Sequence, residues 1–264
     1  MQVAYNAKAN SGCVSRQVGA ILTDANFTVK SIGWNDVPQS QIPCNLRNGL
    51  DLVKQKNSAH FSDFEKGEDG TLYDDKTNFH RKISIELGDE KKINDSLKGR
   101  NCSYCFKTFH NAFEGEKNQV HTRSLHAEEN AMIQITKYGG QGVQGGNLFT
   151  TASPCELCSK KAFQLGIKNI YYIDPYPGIA TSHILKNGKD KSLFPNLKMF
   201  QGAVGSAFHK LYEPFMSYKD ELSILANINP QVSEELKIRN LTSDTKLQEA
   251  IKDTIESFNK QNTN

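Results

Sequence analysis

Residues 147–174 read "NLFTTASPCELCSKKAFQLGIKNIYYID". "NLFTTASP" and "IKNIYYID" are runs of strand length rich in β-branched, aromatic and apolar residues. Between them "CELCSKKAFQLG" predicts a helix. Pro154 suits its start, where a missing N–H costs nothing, and Gly166 suits its stop.

Working outward, "LHAEENAMIQITKYGG" sets Leu125, Ala131, Met132 and Ile135 at roughly helical spacing and ends in two glycines. "NLKMFQGA", near Lys198, predicts one more strand. Strand, helix and strand in alternation is the rhythm of a sheet with helices on its faces. At the other end, residues 1–10 predict a short helix. "QVGAILTD" and "FTVKSIGWN" then predict two strands joined by a turn around Asp24, Ala25 and Asn26.

From Asn45 to His121 the pattern gives way to charged, glycine-punctuated sequence such as "KGEDGTLYDDKTNFHRK", with few apolar positions to anchor a core. This predicts an insertion of short helices and loops. Beyond Gly205 the sequence turns helical and is interrupted by Pro214. Leu247, Ile251, Ile255 and Phe258 share one stripe, which packs on something or serves as a partner surface. The expectation is an α/β domain, a three-layer α/β/α arrangement with a mixed sheet of about five strands. It would span residues 1–225, with an insertion at about 45–121 and a helical C-terminal extension over 226–264.

The 264 residues, 37% of them hydrophobic, can fill a real core. No apolar run has signal-peptide length and none reaches eighteen residues, so a cytosolic protein without a membrane segment is expected. Thirty-two basic residues against 29 acidic ones leave a net charge of +3, which does not call for an extended nucleic-acid surface. Six cysteines without an export signal should stay reduced, and paired spacings then favour metal over disulfides. There are two such pairs, "CSYC" at Cys102 and Cys105 and "CELC" at Cys155 and Cys158. No "GxxxxGK[ST]" phosphate loop is present.

Cys155 and Cys158 lie at the opening turn of their helix, where the dipole favours the thiolates that zinc needs. Two sulfurs leave a tetrahedral zinc two ligands short. His126 can supply one, and the last position stays open to water. Such an open site is a catalytic arrangement, because zinc brings the pKa of its water down to about 7. Glu128, two residues from His126, is the candidate to move the proton. A lone histidine at a helix start or a lone CxxC has an ordinary structural reading, but their combination in this order is specific.

"HAE" followed by "PCELC" resembles the H-x-E…P-C-x-x-C signature of zinc-dependent nucleobase deaminases. The resemblance implies that His126, Cys155 and Cys158 bind a catalytic zinc and that hydroxide attacks C4 of a cytosine ring. It makes Glu128 the carrier of protons to N3 and to the departing amine. "SGCVSRQVGAIL" and "SIGWNDVPQSQIPCN" resemble the first strands of the deoxycytidylate deaminase family, with Trp34 where tyrosine is usual. The resemblance implies substrate contacts from Asn35, toward the sugar, and from Ala127. Arg16 either binds phosphate or is simply solvated. Tyr176 either lies over the nucleotide or closes a turn between Pro175 and Pro177.

"YYIDPYPGIATSHIL" and "FQGAVGS" look most like the deaminase domain of bacterial anti-phage dCTP deaminases, which deplete deoxycytidine nucleotides. This similarity extends through most of residues 1–225. It implies a deoxycytidine nucleotide (dCTP or dCMP) as substrate and a homo-oligomer. Those proteins carry a kinase-like domain ahead of the deaminase. The chain is then either an isolated domain, with that domain or partner outside it, or a stand-alone relative.

Cysteines matching Cys13 and Cys44 help to hold a second, structural zinc in phage-type deoxycytidylate deaminases. Here "CSYC" could complete a four-sulfur site with them. Alternatively Cys102 and Cys105 join His110 and His121 in a small knuckle, or Cys13 and Cys44 are inert buried thiols. Two rival functions remain: a deaminase of RNA or single-stranded DNA, which should show a basic groove bearing aromatics, and a non-catalytic module in which zinc only holds the fold.

Overall fold

A computed structural model describes residues 1–67, 79–114, 118–140, 142–205, 214–226 and 247. Five strands form its sheet: β1 (Gly19–Thr23), β2 (Val29–Trp34), β3 (Asn147–Ala152), β4 (Asn169–Asp174) and β5 (Asn196–Met199). Their order is β2-β1-β3-β4-β5. β1 runs antiparallel to both β2 and β3, while β3, β4 and β5 are parallel, so the sheet is mixed as expected. The β1–β2 turn is closed by the Asp24 carboxylate, which accepts from the Asn26 and Thr28 amides at 2.9 Å each.

The three layers follow from strand alternation. Ala20 pairs with Gly33 and Gly19 with Trp34, so Gly33 and Gly19 present opposite faces of the sheet. A Cβ at Gly33 would meet the Ala127 carbonyl and Ala131 amide of one helix, α7 (Ala127–Tyr138), whereas one at Gly19 would meet the Ala4 carbonyl of α1 (Gln2–Ala7). α7 and α8 (Glu156–Gln164) bury Ala127, Ala131, Met132 and Ala162 against Ala20, Leu22, Leu148 and Ile170. α1 covers part of the other face through Ala4 and Ala7.

The insertion is better built than its composition suggests. It contains α2 (Gly49–Val53), α3 (Asp63–Lys66), α4 (Phe79–Glu86), α5 (Glu90–Leu97) and α6 (Phe106–Glu114). The expectation of few core anchors is corrected by a second apolar cluster, which includes Leu52, Phe79, Ile83, Leu87, Leu97 and Tyr104. No short helix supplies more than two of its buried members, although Phe106, Phe109 and Phe113 of α6 pack against it at helical spacing. α9 (Tyr218–Ala226) closes this cluster with Leu222 and Ala226. The expected extension over 226–264 and the helical stretch at 206–213 lie outside the described residues, apart from Ala226 and Leu247.

Within the insertion Arg47 and Glu65 form an ion pair, 0% and 1% exposed. Arg47 Nη2 also donates to the Tyr104 hydroxyl at 2.7 Å, and Tyr104 donates to Glu65 at 2.5 Å. The guanidinium lies 4.8 Å from the Phe61 ring centre and 5.0 Å from that of Tyr104, so aromatic faces replace part of its lost hydration. Burial pushes the Glu65 carboxyl up, but the charge and hydrogen bond of Arg47, with Tyr104 and the Ser62 amide, outweigh it and hold the pKa below its ordinary 4.5.

Removing one partner of such a pair costs about 3–5 kcal/mol, because the other charge is left buried. Glu65→Gln is therefore expected to lower the denaturation midpoint sharply, as read by urea titration. Because the folded pKa is depressed, the wild-type contribution is complete above pH 4.5 and is lost as pH falls through the folded value. The destabilisation by Glu65→Gln should shrink over that acid range.

Candidate active site

A two-residue step inside a helix turns about 200°, which would aim His126 and Glu128 apart. His126 stands outside the helix instead. It is the N-cap of α7 with extended backbone (φ −72°, ψ 156°), and Glu128 occupies the first turn. The chain just before it is pinned to the end of β2, since the Leu125 amide donates to the Asp36 carbonyl at 2.8 Å. The Glu129 carboxylate accepts from the His126 amide at 3.4 Å.

Cys155 is likewise an N-cap, of α8, with φ −69° and ψ 175°, and Cys158 lies in the first turn. His126 Nδ1 is 3.4 Å from each sulfur. Tetrahedral zinc with ordinary Zn–N and Zn–S bonds would separate nitrogen from sulfur by about 3.6 Å, so the donor types and spacing fit that ion. Among the described residues this is the only group of three or more such side chains with ligand atoms within 4.8 Å of one another.

The electrostatics agree with a cation-binding cluster. The hydrogen bond from Cys158, with help from His126 and against burial, brings the Cys155 thiol down to about 4. The same bond and burial push Cys158 the other way. The bond to Cys155 raises the His126 imidazole. Three donors this close need protons or a cation between them.

Glu128 is 4% exposed, and burial pushes its carboxyl above the ordinary range. Thr150 Oγ1 on β3 lies 3.0 Å from Glu128 Oε1 and 2.8 Å from the Ala152 carbonyl. A hydroxyl has one proton. When Glu128 is ionised the threonine can donate to it; when Glu128 is protonated the acid can donate to Thr150 while Thr150 donates to Ala152. Both protonation states of Glu128 are thus satisfied without rearrangement.

A cavity of about 300 Å³ opens over this group, lined by His126, Glu128 and Cys155 and walled by side chains from the sheet and the insertion. Residues 82–174 match the model of the cytidine and deoxycytidylate deaminase zinc-binding region. Over that stretch the chain is similar to the cytidine and deoxycytidylate deaminases. It is 23% identical over 218 residues to the deoxycytidylate deaminase of Enterobacteria phage T4, covering 76% of this chain and 96% of that protein. Over 54 residues it is 41% identical to ComE operon protein 2 of Bacillus subtilis (strain 168), covering 20% of this chain and 28% of that protein. The dCMP deaminase of cyanophage S-TIM5, solved with dCMP and dUMP, aligns with a TM-score of 0.41 at 20% identity, covering 75% of this chain and 92% of that one.

Arg16, Asn35, Ala127 and Tyr176 all line the cavity. Arg16 Nη2 lies 3.2 Å from Asp174 Oδ2, in an ion pair whose two side chains are 44% and 63% exposed. Asn35 accepts from the Val18 amide at 2.6 Å and donates to the Arg16 carbonyl at 2.8 Å, so it clamps the loop that carries Arg16. The Tyr176 amide donates to Ser153 Oγ at 2.6 Å, which holds the ring at the cavity wall.

Of the four remaining cysteines, Cys13, Cys44 and Cys105 are neighbours, but among the described residues they do not close to within 4.8 Å of one another, and Cys102 stands apart. Cys102 is 2% exposed in the apolar core of the insertion, where burial raises its pKa to about 11. Cys13 is an electrostatic neighbour of Cys44 and Cys105, and Cys13 and Cys105 line the cavity. His110 and His121 stack with ring centres 4.2 Å apart, yet no third ligand atom joins them within 4.8 Å among the described residues. Neither the four-sulfur site nor the Cys102–Cys105–His110–His121 knuckle is assembled. Cys102 packs in the apolar cluster of the insertion while Cys105 lines the cavity, so the two thiols of "CSYC" have different surroundings.

The sequence reading missed Thr150, whose role depends on pairing across strands, and the cavity wall that the insertion contributes. Elemental analysis of the purified protein is expected to give one zinc per chain. Cys158→Ser should lose most of it, about 10-fold or more in affinity, while Cys102→Ser should keep it. Two zincs per chain would reinstate a second site.

Proposed function

We propose that the protein is a zinc-dependent hydrolytic deaminase that converts deoxycytidine nucleotides, dCMP or dCTP, to deoxyuridine nucleotides with release of ammonia. The observation that carries this reading is a buried carboxyl, Glu128, set beside a His–Cys–Cys donor set at the floor of a nucleoside-sized cavity. A structural zinc site has no use for that carboxyl. The relatives named deoxycytidylate deaminase support the choice of substrate.

His126, Cys155 and Cys158 would hold the ion. When bound, zinc lowers the pKa of water toward neutrality and leaves a coordination position for chemistry. Glu128 takes the proton released as water adds at C4 of the ring and gives it to N3, then takes the proton of the new C4 hydroxyl and hands it to the amino group. The C4–N bond then breaks, ammonia departs and the C4 carbonyl remains. Burial raises the proton affinity of Glu128 above that of an exposed glutamate, the direction that favours its acting as acid as well as base. Asn35 and Ala127 support the sugar and base. Tyr176 flanks the nucleotide, and Arg16 lies where a phosphate can reach it.

The unit that does this is residues 1–225, with the insertion at about 45–121 as part of the same domain. Among the described residues no helix is long and apolar enough to cross a membrane. The free nucleotide pool of the cytoplasm is the setting that matches the substrate. The resemblance of residues 171–185 to anti-phage enzymes supports a role in nucleotide depletion, and family kinship supports a homo-oligomer.

Ammonia release from dCMP, dCTP, deoxycytidine, CMP and a single-stranded oligonucleotide, measured in parallel, tests the reading. Turnover of the oligonucleotide alone would overturn it in favour of nucleic-acid editing. Glu128→Gln should retain zinc and lose about 10²–10⁴ in kcat. Thr150→Val removes the partner of both protonation states and should lower kcat about tenfold, with KM little changed and a shifted pH profile.

A further inference from the structure

The insertion delivers a cation to the cavity that none of the roles above uses. Lys107 stands in the first turn of α6, is half-buried, and lines the cavity together with Gln119 and Cys105 of the same insertion and with Thr122 just after it. Its Nζ donates to Gln119 Oε1 at 2.5 Å. Among the described residues no carboxylate lies within ion-pairing distance of it. Lys54, Lys82 and Lys161, by contrast, are each paired with a glutamate. Arg16, the other cation of the cavity wall, is engaged by Asp174.

A lysine at a cavity wall that meets only a neutral amide keeps its charge available to a ligand. An anionic ligand can pair with it. The amide of Gln119 accepts one Nζ hydrogen and so orients the ammonium, leaving two more donors for oxygen atoms. The cavity's volume of about 300 Å³ suits a nucleoside-sized group and leaves charged appendages at its walls.

We propose that Lys107, oriented by Gln119, is the specificity-determining phosphate contact, so that the insertion selects nucleotides over nucleosides. This rests on the deaminase reading and adds to it a residue outside the sheet. Arg16, already paired, is secondary in this recognition.

The test compares kcat/KM for dCMP and deoxycytidine in the full chain. A charge-assisted contact of this kind is worth about 10- to 100-fold, so Lys107→Ala should lower the nucleotide-to-nucleoside ratio by that factor through KM. Lys107→Glu should lower it further, and Lys107→Arg should restore most of it. Gln119→Leu should give a smaller loss in the same direction. Calorimetric affinity for dUMP, which needs no turnover, should follow the same order.

Wild-type preference for dCMP that survives in both Lys107→Ala and Lys107→Glu would overturn the proposal and leave the deaminase reading standing. Equal loss toward dCMP and deoxycytidine would show a merely structural lysine and overturn it too. Absence of turnover of every cytosine compound by the zinc-loaded wild type would instead overturn the deaminase reading.

Discussion

A Cβ at position 33 would stand 2.3 Å from the Ala127 carbonyl oxygen and 2.4 Å from the Ala131 nitrogen. Glycine is what allows α7 to lie directly on β2, backbone against backbone. The first turn of α7 is thereby brought down to the sheet, and with it the extended N-cap that presents His126 and the turn that buries Glu128. Moving the helix outward by the width of a methyl group would separate His126 Nδ1 from sulfurs that it meets at 3.4 Å. It would also draw Glu128 from Thr150, which is fixed two strands away on β3. Metal site and carboxyl therefore depend on one close packing contact.

The two helix starts answer each other across the sheet. Extended N-cap residues, His126 and Cys155, turn their side chains away from their helices and toward a common point, while the positive end of α8 favours the thiolate form of its cysteines. Glu128 sits at the same end of α7 and would be expected to ionise readily there. Burial pushes the other way and is the first cause of its raised pKa. A carboxyl held between these influences can carry a proton and give it up, which a solvent-exposed glutamate on the same turn would do far less readily.

Much of this was legible in the chain. The alternation of strands and helices, the N-terminal hairpin and the order of "HAE" and "PCELC" are local patterns, and local patterns survive in sequence. The convergence of Thr150 on Glu128 is not local, because it depends on β1 pairing with both β2 and β3. The insertion was misjudged for a related reason. Leu52, Ile83, Leu97 and Tyr104 come from separate short segments, and their joint burial emerges only when α9 returns from the far end of the chain to cover them. The "CSYC" spacing was uninformative because a pair of cysteines four residues long specifies a shared site only inside a defined turn or helix start.

The insertion is fastened to the sheet domain at a seam of backbone hydrogen bonds centred on Asn45. Its amide donates to the Gly12 carbonyl at 3.0 Å, and its carbonyl accepts from Asn101 Nδ2 at 3.1 Å and Ser103 Oγ at 2.9 Å. Gly12 opens the loop that carries Cys13 and Arg16, and residues 101–103 lead straight into α6 and Lys107. α9 adds a second fastening: the Lys219 amide donates to the Val14 carbonyl at 3.0 Å, and the Tyr218 hydroxyl donates to the Asn101 carbonyl at the same distance. One wall of the cavity cannot shift without pulling on the other. The buried Arg47–Glu65–Tyr104 network lies just behind this seam, between Asn45 and Cys105 in the chain, so the rigidity it gives the insertion is transmitted to the position of the cavity's two cations. An insertion that reads as loose, charged sequence is in this way part of the pocket's frame.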